Sequence, residues 1–513
     1  MVVPAGNIQN SRRIASNTIF LYIRMIFILG VSLYTSRVVL DKLGVDDYGI
    51  YHAVAGVVAM LSFLNSTLGT GTSRFLTFDL GKGDAAKLKQ TFSTAFFTHL
   101  ILALIVVAVL ETAGLWFVGN KLVIPPERMQ AAKWVYQISI LTTFVSITQV
   151  PYTSAIIAHE NMKVYAYVGV FEAVAKLAIV YLLSISPIDR LVFYAVLVAV
   201  VQLLVAFGYR VYCVRNYEEA RLGSSFDRTT LKDMLSFSGL GLIANVSYIL
   251  STQGLVVLIN MFFQPAVVAA QAVGNQISAA MMQFVNNFKT AINPQIIKLY
   301  AAGDQAASKK LTLESSVYVH ELVLLLALPL IVVMDPLLHL WLVEVPPYTV
   351  VFAQCIVLKQ IFDVYNSTLY TPMIASGKLK TNSWAAVWLG IGAFALLYIL
   401  LKLGFDVMWV QYISILQVML FSYIVKPCIL CKEIGYSWRE ILTSFWKSLR
   451  VSVFPVAVSI CCACLVDIES LWSMVWVVLA ICASVAGSAY MFLDHTTRNK
   501  LNTLIKSKLN IKP

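Results

Sequence analysis

Leu80-Gly81-Lys82-Gly83-Asp84-Ala85-Ala86 and Tyr300-Ala301-Ala302-Gly303-Asp304-Gln305-Ala306 are the two stretches that decide how this chain is organised. They lie about 220 residues apart, and in each a Gly-Asp pair would end one helix and start another, amphipathic segment. Three further matches follow at nearly the same offset. Leu115-Trp116, with Pro125-Pro126 after it, meets Leu340-Trp341 with Pro346-Pro347. Tyr152-Thr153 meets Tyr370-Thr371, and Pro151 meets Pro372. Any one match is ordinary loop chemistry, but several in order at one offset imply a duplicated chain.

Composition identifies what is duplicated. The 513 residues are 59% hydrophobic and 12% charged, with a mean hydropathy of +0.78. Water-soluble domains carry about 25% charge, so this chain has too little polar surface to coat a soluble particle. A closed barrel would read as short alternating segments, whereas the long unbroken apolar runs here demand helices. Fourteen runs are long enough to span a bilayer, near 16–38, 46–70, 91–112, 132–157, 164–184, 190–213, 236–262, 266–290, 313–334, 349–375, 382–402, 407–427, 449–466 and 470–493. The offset makes six spans the repeat unit. Six is even, so both halves enter the membrane in the same direction.

The expected fold is therefore an all-α polytopic membrane protein with two pseudo-symmetric six-helix lobes and two added C-terminal helices. The lobes are expected at 1–215 and 236–430, with cytoplasmic linkers at 216–235 and 431–448, helices thirteen and fourteen within 449–493, and a basic tail at 494–513. Two such bundles would enclose a cleft in which a substrate sits.

The net charge of +12 looks like a clue to an acidic partner, but its distribution is mostly orientation. With the N-terminus inside, 28 of the 38 Lys and Arg fall in inner segments, 7 outside and 3 within spans. That bias places both termini in the cytoplasm, and a nucleic-acid patch has no loop long enough to carry it. The first run follows Arg12 and Arg13, exceeds a signal-peptide core and lacks a small-residue cleavage site, so it reads as an uncleaved helix.

Several chemistries are absent from the pattern. No G-x-x-x-x-G-K-[ST] occurs and no loop is large enough for an ATPase. Gly239-Leu-Gly241-Leu-Ile-Ala244 imitates a dinucleotide loop inside an apolar span, which reads as small-residue helix packing. Cys428 and Cys431 form one C-x-x-C without a second pair or nearby histidines, which reads as two free thiols and no metal site. No cofactor is expected.

Ionisable groups within spans are the candidate functional residues, because each is costly in hydrocarbon. Glu172 with Lys176, and Lys359 with Asp363, are spaced i,i+4, so each pair can neutralise itself on one helix face. Arg24 has only Phe20, Leu21, Phe27 and Ile28 within helical reach. It needs an anion from elsewhere: Glu172 or Asp363 across the bundle, a bound anionic substrate, or the membrane surface by snorkelling. His99, His320 and Glu321 allow a proton relay, against the simpler reading of hydrogen-bonded buried histidines. Asn245, Ser247, Tyr248, Asn275 and neighbouring amides of spans seven and eight suit either hydroxyl-rich ligands or helix–helix hydrogen bonding. Arg24, Lys359, Asp363, Glu172, Lys176, Asn245 and Asn275 are thus the candidate cavity residues.

The span pattern, the G-K-G-D loop and the connection R-V-V-L-D-K-L-G-V-D-D-Y-G-I-Y from Arg37 to Tyr51 resemble the polysaccharide flippases of the multidrug/oligosaccharidyl-lipid/polysaccharide exporter superfamily, the O-antigen repeat-unit flippases in particular. The resemblance implies a V-shaped, MATE-like transporter of the bacterial inner membrane, working as a monomer by alternating access. It implies that an undecaprenyl-pyrophosphate-linked oligosaccharide moves from the inner to the outer leaflet, driven by a proton or sodium gradient, alongside other polysaccharide-assembly proteins. It also implies a cationic cavity for the pyrophosphate, to which Arg24 fits by position and Lys359 less closely. Arginine offers a fork of donors matched to phosphate oxygens. A multidrug exporter or a peptidoglycan-precursor flippase would share the fold, and a membrane polymerase or glycosyltransferase would want a larger outer loop.

Overall fold

The computed structural model describes residues 28–61, 63–159, 161–221, 223, 226–234, 246, 249–468, 470–492 and 498. Among them the backbone is helix joined by turns, without strands, as hydrocarbon demands of a chain that must satisfy its own backbone groups. The helices are α1 (28–43), α2 (Val45–Ala59), α3 (Phe63–Lys82), α4 (Ala85–Asn120), α5 (Met129–Ala158), α6 (Met162–Ser184), α7 (Arg190–Asn216) and α8 (Leu250–Phe262). There follow α9 (Pro265–Ala301), α10 (Gln305–Val332), α11 (Met334–Trp341), α12 (Thr349–Thr368), α13 (Thr371–Ser376), α14 (Lys380–Lys402), α15 (Met408–Ile434), α16 (Trp438–Leu465) and α17 (Leu471–Phe492).

Each expected span is helical over its described residues, apart from turns at its edges and at 60–61, 333 and 369–370. Nine helices among the described residues are long and apolar enough to cross a membrane. Others, such as α9 with Gln271, Asn275 and Gln276, are diluted by amides. The outward faces stay apolar: Leu465 is 82% and Trp472 75% exposed, which suits lipid rather than water. The chain is a multi-pass, all-α membrane protein.

The two Gly-Asp loops adopt one conformation. Gly83 and Gly303 have φ of +73° and +83°, a left-handed geometry that costs glycine nothing. Asp84 then caps α4 by accepting from the Lys87 amide at 2.9 Å, and Asp304 caps α10 by accepting from the Ala307 amide at 2.9 Å. Asp84→Ala and Asp304→Ala should each cost about 1 kcal/mol. Equal falls in the thermal unfolding temperature of the purified protein would be the expected result, with Asn at either site recovering most of the loss. The last sequence match diverges in structure. Pro151 is inside continuous α5, whereas Pro372 lies just beyond the break between α12 and α13.

By packing, the chain groups into two units, Met1–Ala269 with Leu342–Glu344, and Ala270–Trp341 with Val345–Pro513. The N-terminal unit is organised around α5, which packs against α2, α3, α4 and α7, with Leu76, Phe92, Tyr152, Ile156 and Tyr209 in its core. Packing puts α8 in this unit, against α2, whereas the repeat would begin the second lobe at 236. The connection after α7 is tied down: Lys87 meets Asp227 at 2.7 Å, and the Asp227 amide donates to Thr94 Oγ1 at 3.0 Å. The Lys87 hydrogen bond, aided by Thr230 and the Thr229 amide, holds the Asp227 carboxyl below the usual carboxylate range. On the opposite side Arg128 joins three elements, reaching Asp47 at 2.7 and 2.5 Å and Asp189 at 2.6 and 3.2 Å. In the C-terminal unit α10 is central, packed on α12, α16 and α17.

Candidate functional site

The break that ends α12 creates a site. Proline has no N–H to give to the Thr368 carbonyl and its ring crowds that turn, so Pro372 interrupts the helix, and the last α12 carbonyls lose their intrahelical donors. Lys426 supplies one. Its Nζ donates to the Asn366 carbonyl at 3.0 Å, lying 5.0 Å from the Tyr370 ring and 5.1 Å from Phe421. A cation at a helix C-terminus also complements the helix dipole. Lys426 is only 1% exposed.

One turn earlier Asp363 accepts from Asn366 Nδ2 at 2.8 Å, so the Asn366 side chain and backbone link carboxylate to ammonium. Lys289 of α9 and Lys359 of α12 complete the group, with Asp363 in electrostatic reach of all three lysines. Thr371 Oγ1 donates to Asn293 Oδ1 at 3.0 Å, and Ser316 and Thr368 share a hydroxyl contact of 2.8 Å. Both contacts hold the break in place against α9 and α10. Behind it Tyr365 is buried beside Tyr423 and Phe445, its hydroxyl bonded to Ser448. Three ammonium groups to one carboxylate leave uncompensated positive charge in a desolvated setting, an arrangement that favours binding of an anion.

The candidate residues divide as follows. Lys359 and Asp363 both belong to this group, but no ion-pair contact within 4 Å joins them; Asp363 turns to Asn366 instead. Glu172 and Lys176 do form their i,i+4 pair, at 2.7 Å, on a half-exposed face of α6 in the N-terminal unit. Asn275 accepts from Gln271 of the same helix at 3.1 Å, and Gln271 in turn accepts from Gln411 of α15 at 2.6 Å. Arg24 and Asn245, like Ser247 and Tyr248, lie outside the described residues. His99 Nδ1 bonds the Ala95 carbonyl of its own helix at 2.8 Å, and His320 Nε2 bonds Ser452 of α16 at 2.9 Å. Glu321 faces a cleft of about 1130 Å³ whose rim carries Lys309, Arg439, Lys447 and Arg450.

Sequence reasoning missed Lys426 and Lys289, which orientation arithmetic assigns to cytoplasmic segments. The signal for Lys426 was present in Pro427-Cys-Ile-Leu-Cys431: apolar residues continue after the lysine, and α15 runs on to Ile434.

No protein-family model matches the chain, and no curated protein matches it. Solved structures do. The fold is similar to that of several solved membrane transporters. Among them, the lipid II flippase MurJ in an inward closed conformation superposes with a TM-score of 0.70 at 11% identity, covering 92% of this chain and 98% of that one. An inward-facing multidrug-resistance MATE transporter matches with a TM-score of 0.58 at 11% identity, over 83% of this chain and 94% of its own. A MOP-superfamily transporter from Pyrococcus furiosus, described as having a binding pocket of reversed polarity, gives 0.55 at 12% identity over 84% and 95%.

Proposed function

We propose that this protein is a flippase that carries an undecaprenyl-pyrophosphate-linked oligosaccharide from the cytoplasmic to the outer leaflet of the inner membrane, for O-antigen or related surface-polysaccharide assembly. The observation that supports this most is the lysine group at the α12 break, where Lys289, Lys359 and Lys426 outnumber Asp363. A pyrophosphate cannot cross hydrocarbon without such partners, and ammonium–phosphate contacts are among the stronger hydrogen bonds available. A drug-cation exporter would call for the opposite balance of charge. Arg24 is a second anion contact in this reading, and a proton or sodium gradient is the energy source.

Deleting the gene in its native host is the direct test. Surface polysaccharide should disappear while its pyrophosphate-linked precursor accumulates on the cytoplasmic face and peptidoglycan synthesis continues. The likeness to a lipid II flippase over 92% of the chain favours a second reading, transport of the peptidoglycan precursor. Lysis with accumulation of that precursor would establish it instead. Normal surface polysaccharide and normal peptidoglycan together would sink both.

A further inference from the structure

We propose that the N-terminal unit contains a binding cavity for the neutral, hydroxyl-bearing part of the cargo, formed between α3 and α5, and that this cavity selects sugars by accepting their hydrogen bonds. The inference rests on the transport reading above and adds a second, uncharged contact to it. The cavity has a volume of about 650 Å³ and is lined by Asn65, Ser73, Ser146, Gln149, Thr153 and Ser154, with Gln202 of α7 at its side. That size is ordinary for small-ligand sites. No charged side chain lines it among the described residues.

The hydrogen-bond inventory gives the cavity its chemistry. Thr153 Oγ1 donates to the Val150 carbonyl at 3.0 Å and Ser154 Oγ to the Gly69 carbonyl at 3.3 Å. Each hydroxyl has thereby used its only proton and keeps only lone pairs. Asn65 Nδ2 donates to Ser146 Oγ at 3.0 Å, leaving Asn65 Oδ1 buried with no partner among the described residues. Gln149 is 8% exposed, and its Oε1 is likewise buried and unpartnered. A buried amide oxygen without a donor carries a desolvation cost that a ligand hydrogen can remove. The wall thus presents unpartnered acceptor oxygens beside amide and hydroxyl groups, without formal charge among the described residues. An anion finds no cationic partner there among the described residues. A polyol or acylated amino sugar brings several O–H or N–H donors that can pair with the two unpartnered amide oxygens and the two hydroxyl oxygens.

The experiment uses full-length protein in lipid nanodiscs and saturation-transfer NMR with free galactose, rhamnose and N-acetylglucosamine, with tetraphenylphosphonium as a cation probe. Inorganic pyrophosphate binding is measured in parallel by calorimetry. At least one sugar should receive saturation, and Gln149→Leu should weaken its binding about tenfold or more. Gln149→Glu keeps an acceptor oxygen and should stay within a few-fold of the parent, which separates a lost acceptor from a damaged fold. Absence of sugar saturation, equal binding by Gln149→Leu, or preference for tetraphenylphosphonium over every sugar would each overturn the proposal. Pyrophosphate binding without sugar binding overturns this cavity alone. Sugar binding without pyrophosphate binding overturns the lysine-group reading and leaves the cavity standing.

Discussion

Gly49→Ala should reduce stability by about 3 kcal/mol or more, and Gly49→Val should leave little folded protein in the membrane. A Cβ on Gly49 would stand 1.9 Å from the Pro265 carbonyl oxygen and 2.5 Å from its carbonyl carbon. Side chains can turn away from such a clash, but here the opposing atoms are backbone, held by the first turn of α9. Overpacking a buried site costs about 1–3 kcal/mol when neighbours can shift, and more when backbone must move. Gly208 is the matched control: it too sits inside a helix, α7, but a Cβ there meets nothing within 4 Å. Gly208→Ala should therefore be neutral or stabilising by about 0.5–1 kcal/mol. Thermal unfolding of the two purified variants gives the comparison. Equal stability of Gly49→Ala and Gly208→Ala would mean that α2 and Pro265 do not meet in the folded protein.

Gly49 also shows what a sequence can and cannot disclose. The Asp47-Tyr48-Gly49-Ile50-Tyr51 stretch is visible as a motif, yet nothing local says that its glycine exists for Pro265, more than 200 residues away. The Gly-Asp loops were legible in full because a helix stop and a helix cap are local events, fixed by φ at Gly83 and Gly303 and by one carboxylate each. The i,i+4 arithmetic worked for Glu172 and Lys176, which pair with each other among the described residues. It failed for Lys359 and Asp363, because Asn366 lies three residues from Asp363 on the same helix and takes its carboxylate. Lys426 was misplaced for a different reason. A lysine at the rim of an apolar run reads as a loop residue, and only tertiary structure reveals that a broken neighbouring helix offers it a carbonyl.

On the proposed flippase reading, Lys426→Met should lower translocation of a pyrophosphate-linked cargo about 10- to 150-fold, the loss expected when one hydrogen bond to a charged group is removed. Stability should change far less. Methionine removes the Asn366 carbonyl's donor, but it also removes the cost of keeping an ammonium 1% exposed, and in buried ionic sites these two effects often nearly cancel. The variant therefore separates transport from folding in a way that Gly49→Val does not. Lys426→Arg should restore part of the rate, since the guanidinium keeps the charge but not the reach of a single ammonium to one carbonyl. Asp363→Asn is the decisive companion, because the lysine group can be read in two ways. If it receives an anion, neutralising Asp363 increases the positive excess, so cargo binding should hold or tighten. If Asp363 instead serves a coupling cation, Asp363→Asn should abolish gradient-driven flipping while Lys426→Met leaves it intact. Flipping rates of the two variants in proteoliposomes, with and without an imposed proton or sodium gradient, distinguish an anion receptor from a cation site at the same four side chains.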